Sequence, residues 1–137
     1  MADCIFCKII NNELPSYKIA ETEHCIAFLD INPLNYGHTL IVPKAHYETI
    51  FDMDEKLSGE IMQLGWKVAN VINKSLEPDG MNLVQCNYKA GNQVVPHFHL
   101  HVIPRYKDDN LKLGSWEIVP GEQEKLERVA DQLKESL

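Results

Sequence analysis

No apolar stretch in this chain approaches the roughly 20 residues a helix needs to span a bilayer, and MADC does not begin a basic, apolar and cleavage-site leader. The expectation is a cytoplasmic protein. Basic residues are scarce: 13 Lys and Arg stand against 20 Asp and Glu, a formal net charge of -7. Nucleic-acid polymers and anionic membranes need a net or patchy positive field, so neither is expected as a partner. The one basic cluster, Arg105 and Lys107, is too short to count. Cysteine is limited to four residues, and in a reducing compartment metal binding or plain burial explains them better than disulfides. Cys25 and Cys86 stand alone in apolar runs and read as small core residues. No repeat, linker or low-complexity segment divides the 137 residues, which reads as one domain, 1–137, with room for a real core.

What is present has a clear order. In CIFCKIINNELP, apolar residues at 5, 6, 9 and 10 precede Pro15, which predicts a short helix. Residues 17–22 and 24–30 (HCIAFLD) read as a hairpin with a polar turn near 21–23. After the loop DINPLNYGH, HTLIVP forms a third strand closed by Pro43. Asp54 is positioned to cap a long helix carrying Leu57, Ile61, Leu64, Val68, Ile72 and Leu76, stopped by Pro78 and Gly80. MNLVQC and HFHLHVIP are the fourth and fifth strands, joined by the loop NYKAGNQVVP. Beyond Pro120-Gly121, Leu126, Val129, Ala130, Leu133 and Leu137 mark a second amphipathic helix. The class expected is α+β: a mainly antiparallel five-stranded sheet with one long helix and short terminal helices.

The fifth strand holds three of the six histidines, His97, His99 and His101, at alternate positions. A helix would scatter them, whereas a strand puts them on one face, about 6.7 Å apart at ~3.3 Å per residue. Phe98, Leu100 and Val102 then face the core under the long helix. A lone histidine is usually an ordinary half-exposed residue, but three in register point to a site. Imidazole titrates near neutral pH and serves as nucleophile, proton carrier or metal ligand, so phosphate and metal chemistry both remain open.

GHTLIVPKAH, followed some fifty residues later by HFHLHVI, resembles the histidine triad superfamily of nucleotide hydrolases and transferases, as do the CIFCKII start and the PRY ending. The likeness runs from about Cys4 to Tyr106 and leaves 107–137 as an extension. It implies that His99 attacks the α-phosphate of a purine nucleotide, giving a nucleotidyl-histidine that water resolves, so that a purine nucleoside monophosphate, AMP for preference, is cleaved from an amine, acyl or phosphate leaving group. It implies that His101 binds phosphate and takes part in proton delivery, with His38 completing the cluster. Asp30, otherwise a turn starter, would accept both ribose hydroxyls. Phe6, Ile9, Phe28 and Ile31, each of which alone would be read as core, would enclose the base. Asn87, Gln93 and the Val94 backbone would form the phosphate loop. That loop departs from the family pattern: Tyr88 stands where glycine is usual, and Gly-Asn-Gln, with Asn92 in the middle, replaces Ala-Gly-Gln. Pro96 is also unusual immediately before the triad. The likeness implies a homodimer, and Trp116 or the partner chain would shape the leaving-group side. Rival readings are a dinucleoside polyphosphate hydrolase and a nucleotide-binding or zinc-held interaction module with little turnover.

Cys4 and Cys7 form a Cys-x-x-Cys pair at a common zinc spacing, with two ligands still to be found. A thioredoxin-like pair should follow a strand and open a helix within a βαβ unit, and this one does not. The resemblance supplies His46 and His97 as the other ligands of a structural zinc.

Overall fold

A computed structural model describes residues 3–114 and 119–136. Trp116 and Leu137 lie outside the described residues. The chain runs α1 (Ile5–Ile10), β1 (Lys18–Glu21), β2 (Cys25–Leu29), β3 (Thr39–Pro43), α2 (Glu55–Leu76), β4 (Gly80–Gln85), β5 (Leu100–Arg105) and α3 (Gln123–Ser136). The strands form one sheet in the order β1-β2-β3-β5-β4, and every pairing is antiparallel. The α+β reading holds.

Alternation along the strands divides the apolar residues between two faces. Cys25 and Ala27 of β2, Ile41 of β3, and Phe98, Leu100 and Val102 form one cluster with Leu57, Ile61, Leu64, Val68 and Ile72 of α2. The helix stripe expected from the sequence is therefore the stripe that is buried. Leu76, at the last turn, is the exception at 45% exposed; it lies over Gly37, where an added Cβ would come within 2.6 Å of its Cδ1. Gly37 has φ +103°, a conformation open to glycine and strained for other residues. The Asp54 carboxylate accepts the Leu57 N-H and caps α2, and the left-handed Glu77 ends it.

Ile26 and Phe28 of β2 and Leu40 and Val42 of β3 point the other way and cluster with Cys4 and Phe6. The six-residue α1 thus covers the face opposite α2. A helix this short is not stable alone, so its place depends on Phe6 and on whatever holds the two cysteines.

Several features differ from expectation. The fifth strand begins at Leu100 rather than His97. Pro96 has no N-H, the His97 N-H bonds Val95 O, and the Phe98 N-H bonds Tyr47 O, so 96–98 is tied to loops before the ladder starts. Cys86 lies just past β4 and is half-buried, not a core residue. The α3 helix forms, but Leu126, Val129 and Leu133 are all exposed, and among the described residues α3 has no buried position. Among the described residues no helix is long and apolar enough to cross a membrane.

Candidate active site

A cavity of about 650 Å³ opens on the α1 side of the sheet, lined by residues that include Phe6, Ile9, Phe28, Asp30, Ile31, Val94, His99 and His101. Larger in volume, a groove of about 800 Å³ lies between the β1-β2 turn and α2 beside Trp66, but it contains none of the triad.

Of the three histidines only His101 lies within β5, while His97 and His99 precede it, and the three rings have different surroundings. His99 is buried, and its Nδ1 lies 2.7 Å from the carbonyl of His97. A carbonyl only accepts, so Nδ1 carries the proton and Nε2 is left with a free lone pair. Burial, the dominant cause, lowers the His99 pKa below its ordinary 6.5. The edge of Phe6 packs at 5.1 Å from the His99 ring, and the His101 ring is 4.8 Å away.

His38, His101 and Asp30 form the far end of the cavity. Leu34 N-H donates to His38 Nδ1 at 3.1 Å, which puts the proton of the neutral ring on Nε2. That proton is donated to His101 Nδ1 at 2.9 Å, so His101 in turn carries its proton on Nε2. Burial first, then neighbouring His99 and His38, push His101 down to about 4; burial also lowers His38. Asp30 Oδ1 accepts the Asn32 N-H, and Oδ2 is 3.7 Å from His38 Nε2. These three side chains are close enough to hold a metal ion, yet His38 cannot offer Nε2 to a metal while Nδ1 accepts from Leu34 unless the ring becomes an imidazolate. The set is a chain of hydrogen-bond donors, not a metal centre.

The loop after β4 is braced by the residues assigned to it. Gln93 Oε1 accepts the Tyr88 N-H, and its Nε2 donates to Glu48 O and Val95 O. Asn87 Oδ1 accepts the Ile50 N-H. Neither side chain lines the cavity, whereas Val94, 88% exposed, does. Tyr88 and Asn92 both take positive φ, 62° and 68°. The loop therefore keeps a glycine-like backbone without glycine, and Tyr88, with ψ 166°, occupies a region that costs about 1–3 kcal/mol. Its ring stacks on Phe51, a partner that no motif indicated.

The two cysteines meet two histidines beneath α1. Cys4 Sγ lies 3.3 Å and Cys7 Sγ 3.6 Å from His97 Nδ1, and Cys7 Sγ is 3.3 Å from His46 Nδ1. A tetrahedron with Zn-S of about 2.3 Å and Zn-N of about 2.05 Å has S···N edges of about 3.5 Å. His97 donates from Nε2 to Pro43 O at 2.9 Å, which leaves Nδ1 unprotonated toward the sulfurs, the arrangement a metal-ligating histidine requires. Burial, with Cys4 adding to it, pushes the Cys7 thiol up to about 11, a penalty on thiolate that a divalent cation reverses. Cys4, Cys7, His46 and His97 fit a closed four-ligand metal site. The pairing of these four is not visible in spacing and came only through the family pattern.

Comparison with known proteins places these features in context. The HIT domain family matches residues 11–108. An adenosine 5'-monophosphoramidase from Candida albicans is 38% identical over 99% of this chain and 92% of its own. A crystallised HIT family protein from Bacillus anthracis is 37% identical, with a TM-score of 0.91 over 98% of this chain and 97% of that one. A Zn-bound histidine triad family protein from Mycobacterium smegmatis is 34% identical, with a TM-score of 0.76 over 99% of both chains.

Proposed function

The chain belongs to the HIT domain family, and from that premise we propose that it is a nucleotidyl hydrolase that releases AMP from an amine, acyl or phosphate leaving group. The observation that carries this reading is the His99 ring: its tautomer is set by the His97 carbonyl, and it lines the cavity beside an apolar slot. The purine lies between Phe6, Ile9, Phe28 and Ile31. Asp30 takes the ribose hydroxyls, and backbone N-H groups of the loop through Val94, held in shape by Asn87 and Gln93, face the phosphate.

In the first step His99 Nε2 bonds the α-phosphorus and the bond to the leaving group breaks. The leaving nitrogen keeps that electron pair and takes a proton that His101 delivers from solvent water. The hydroxide equivalent left behind attacks phosphorus in the second step, and the electron pair of the P-N bond returns to His99. Cys4, Cys7, His46 and His97 would hold zinc, which when bound would supply a structural brace between the N-terminal segment and the residues before β5. His97 then joins brace and nucleophile, since its ring faces the sulfurs and its carbonyl orients His99.

Residues 1–137 act as one domain, with a motif-bearing core at about 4–106 and a C-terminal extension. The protein is a cytoplasmic homodimer on this reading. Unpaired Cys4, Cys7, Cys25 and Cys86 suit a reducing compartment. The uncovered α3 stripe and the β4 edge, where Leu83 is 38% exposed, offer surface for a second copy. Quenching with an adenosine phosphoramidate and measuring mass is the test, with a nucleotidyl adduct on His99 expected. AMP bound with no adduct would favour an interaction module, and faster turnover of diadenosine polyphosphates than of AMP-lysine would favour the polyphosphate hydrolase.

A further inference from the structure

The polar cluster at the end of β5 takes no part in the steps above. Its centre is Asp109, whose side chain is only 7% exposed. The carboxylate accepts from Arg105 Nε and Nη2, from the Tyr106 and Leu111 N-H groups, and from Asn35 Nδ2. Arg105 is itself fixed, donating also to Asn82 Oδ1 and Leu111 O. Such charge-assisted bonds make a rigid anchor.

Asn35 is the member that reaches the active site. Its Nδ2 donates to both Asp109 at 3.0 Å and Pro104 O at 2.8 Å, so its amide pins the turn between Asp30 and His38 to the end of β5. The main chain around it holds His38 from two sides: the His38 N-H bonds Asn35 O, and the Leu34 N-H bonds His38 Nδ1. Everything downstream is a matter of which nitrogen bears the proton. If the Leu34 N-H moves away, His38 is free to carry its proton on Nδ1. Its Nε2 then accepts from His101 Nδ1, and His101 turns a lone pair toward the substrate instead of an N-H.

We propose that Asn35 and Asp109 are positioning residues for the hydrolysis proposed above: anchoring the 30–38 turn, they fix the His38 tautomer and so make His101 a donor to the leaving group. The proposal rests on the hydrolase reading for its catalytic consequence but not for its tautomers, which can be observed without turnover.

The test compares Asn35→Ala and Asp109→Asn with the unaltered protein. Nitrogen-15 NMR of the histidine rings should show His38 protonated on Nε2 in the parent and a mixture of tautomers in both variants. Single-turnover adduct formation is then measured with two adenosine 5'-phosphoryl substrates, one releasing an alkylamine and one releasing 4-nitrophenolate, which departs without a proton at pH 8. Because general acid catalysis contributes about 10²–10⁴-fold, amine release should slow in proportion to the donor tautomer lost, about twofold for an even mixture and about tenfold where one ring in ten keeps it, while nitrophenolate release should not follow that fraction. Equal losses on both substrates, or unchanged tautomers, overturn the proposal. Should one variant fail to fold, the other carries the same expectation. A parent protein that cleaves neither substrate refutes the hydrolase reading, and the NMR result still decides the positioning.

Discussion

Truncating Phe6 to alanine should detach α1 while sparing the rest of the sheet. The Phe6 ring is 6% exposed and meets Phe28, His97 and His99 edge-on at centroid distances of 5.6, 5.8 and 5.1 Å. Replacing a buried phenylalanine by alanine costs about 3–5 kcal/mol. Phe6 belongs to the apolar cluster on the α1 face, and the α2 cluster shares no residue with it. With a chelator present to remove any contribution from metal, the loss should therefore appear as local opening. The Lys8 and Asn11 amides, bonded to Cys4 O and Cys7 O, should exchange about 10²–10⁴ times faster by the conversion of 1.36 kcal/mol per decade. Amides between β2 and β3 should change far less. On the proposed reading the KM for an adenosine phosphoramidate should rise, since one wall of the cavity beside His99 goes with the ring. Unchanged exchange at Lys8 and Asn11, or an equal increase at Ile41, would refute the view that Phe6 docks α1 as a separate unit.

His99→Ala should abolish the adduct and reduce turnover by about a thousandfold or more, with AMP binding retained in calorimetry. Elemental analysis of protein purified without an affinity tag should find one zinc per chain; chelation or Cys4→Ser should lower the melting temperature, and substoichiometric zinc in undisturbed protein would count against the site. Because burial holds the His99 pKa below 6.5, the acid limb of kcat/KM should have its midpoint below 6.5; a midpoint at or above 6.5 would contradict the buried, neutral ring. His101 is lowered to about 4, so the unfolded chain takes up its proton first. The stability it contributes is complete above about 6.5 and is lost as pH falls toward 4, by on the order of 3 kcal/mol in denaturant titrations.

Much of the fold was legible because burial follows local period. The α2 stripe from Leu57 to Ile72 and the alternation of Phe98, Leu100 and Val102 each state which side faces the core, and the Asp54 cap states where the helix starts. The α3 stripe was equally legible as a helix, but a stripe does not name what covers it. The start of β5 was missed because Pro96 removes one ladder donor and Tyr47, distant in sequence, takes up the Phe98 N-H. At the candidate site, HxHxH showed that three imidazoles share a face, but not that His97 turns to the sulfurs while His99 and His101 line a cavity. The ring tautomers depend on Leu34, Pro43 and the His97 carbonyl, and no motif contains those bonds. No sequence motif joins Asn35 to Asp109, whose link spans 74 positions. One signal was the Asp108-Asp109-Asn110 run after PRY, since such side chains commonly bond nearby main-chain groups.

The main-chain carbonyl at position 97 is present whatever side chain stands there. Cys4, Cys7, His46 and even the His97 ring could be exchanged one by one in descendants of this chain, and the Nδ1 proton of His99 would still find an acceptor at the same peptide. The reverse does not hold, because no change at the sulfurs can replace a lost nucleophile. On the proposed reading, the four-ligand cluster and the His99 ring are therefore separable in one direction only, and a lineage could abandon the first while keeping the second.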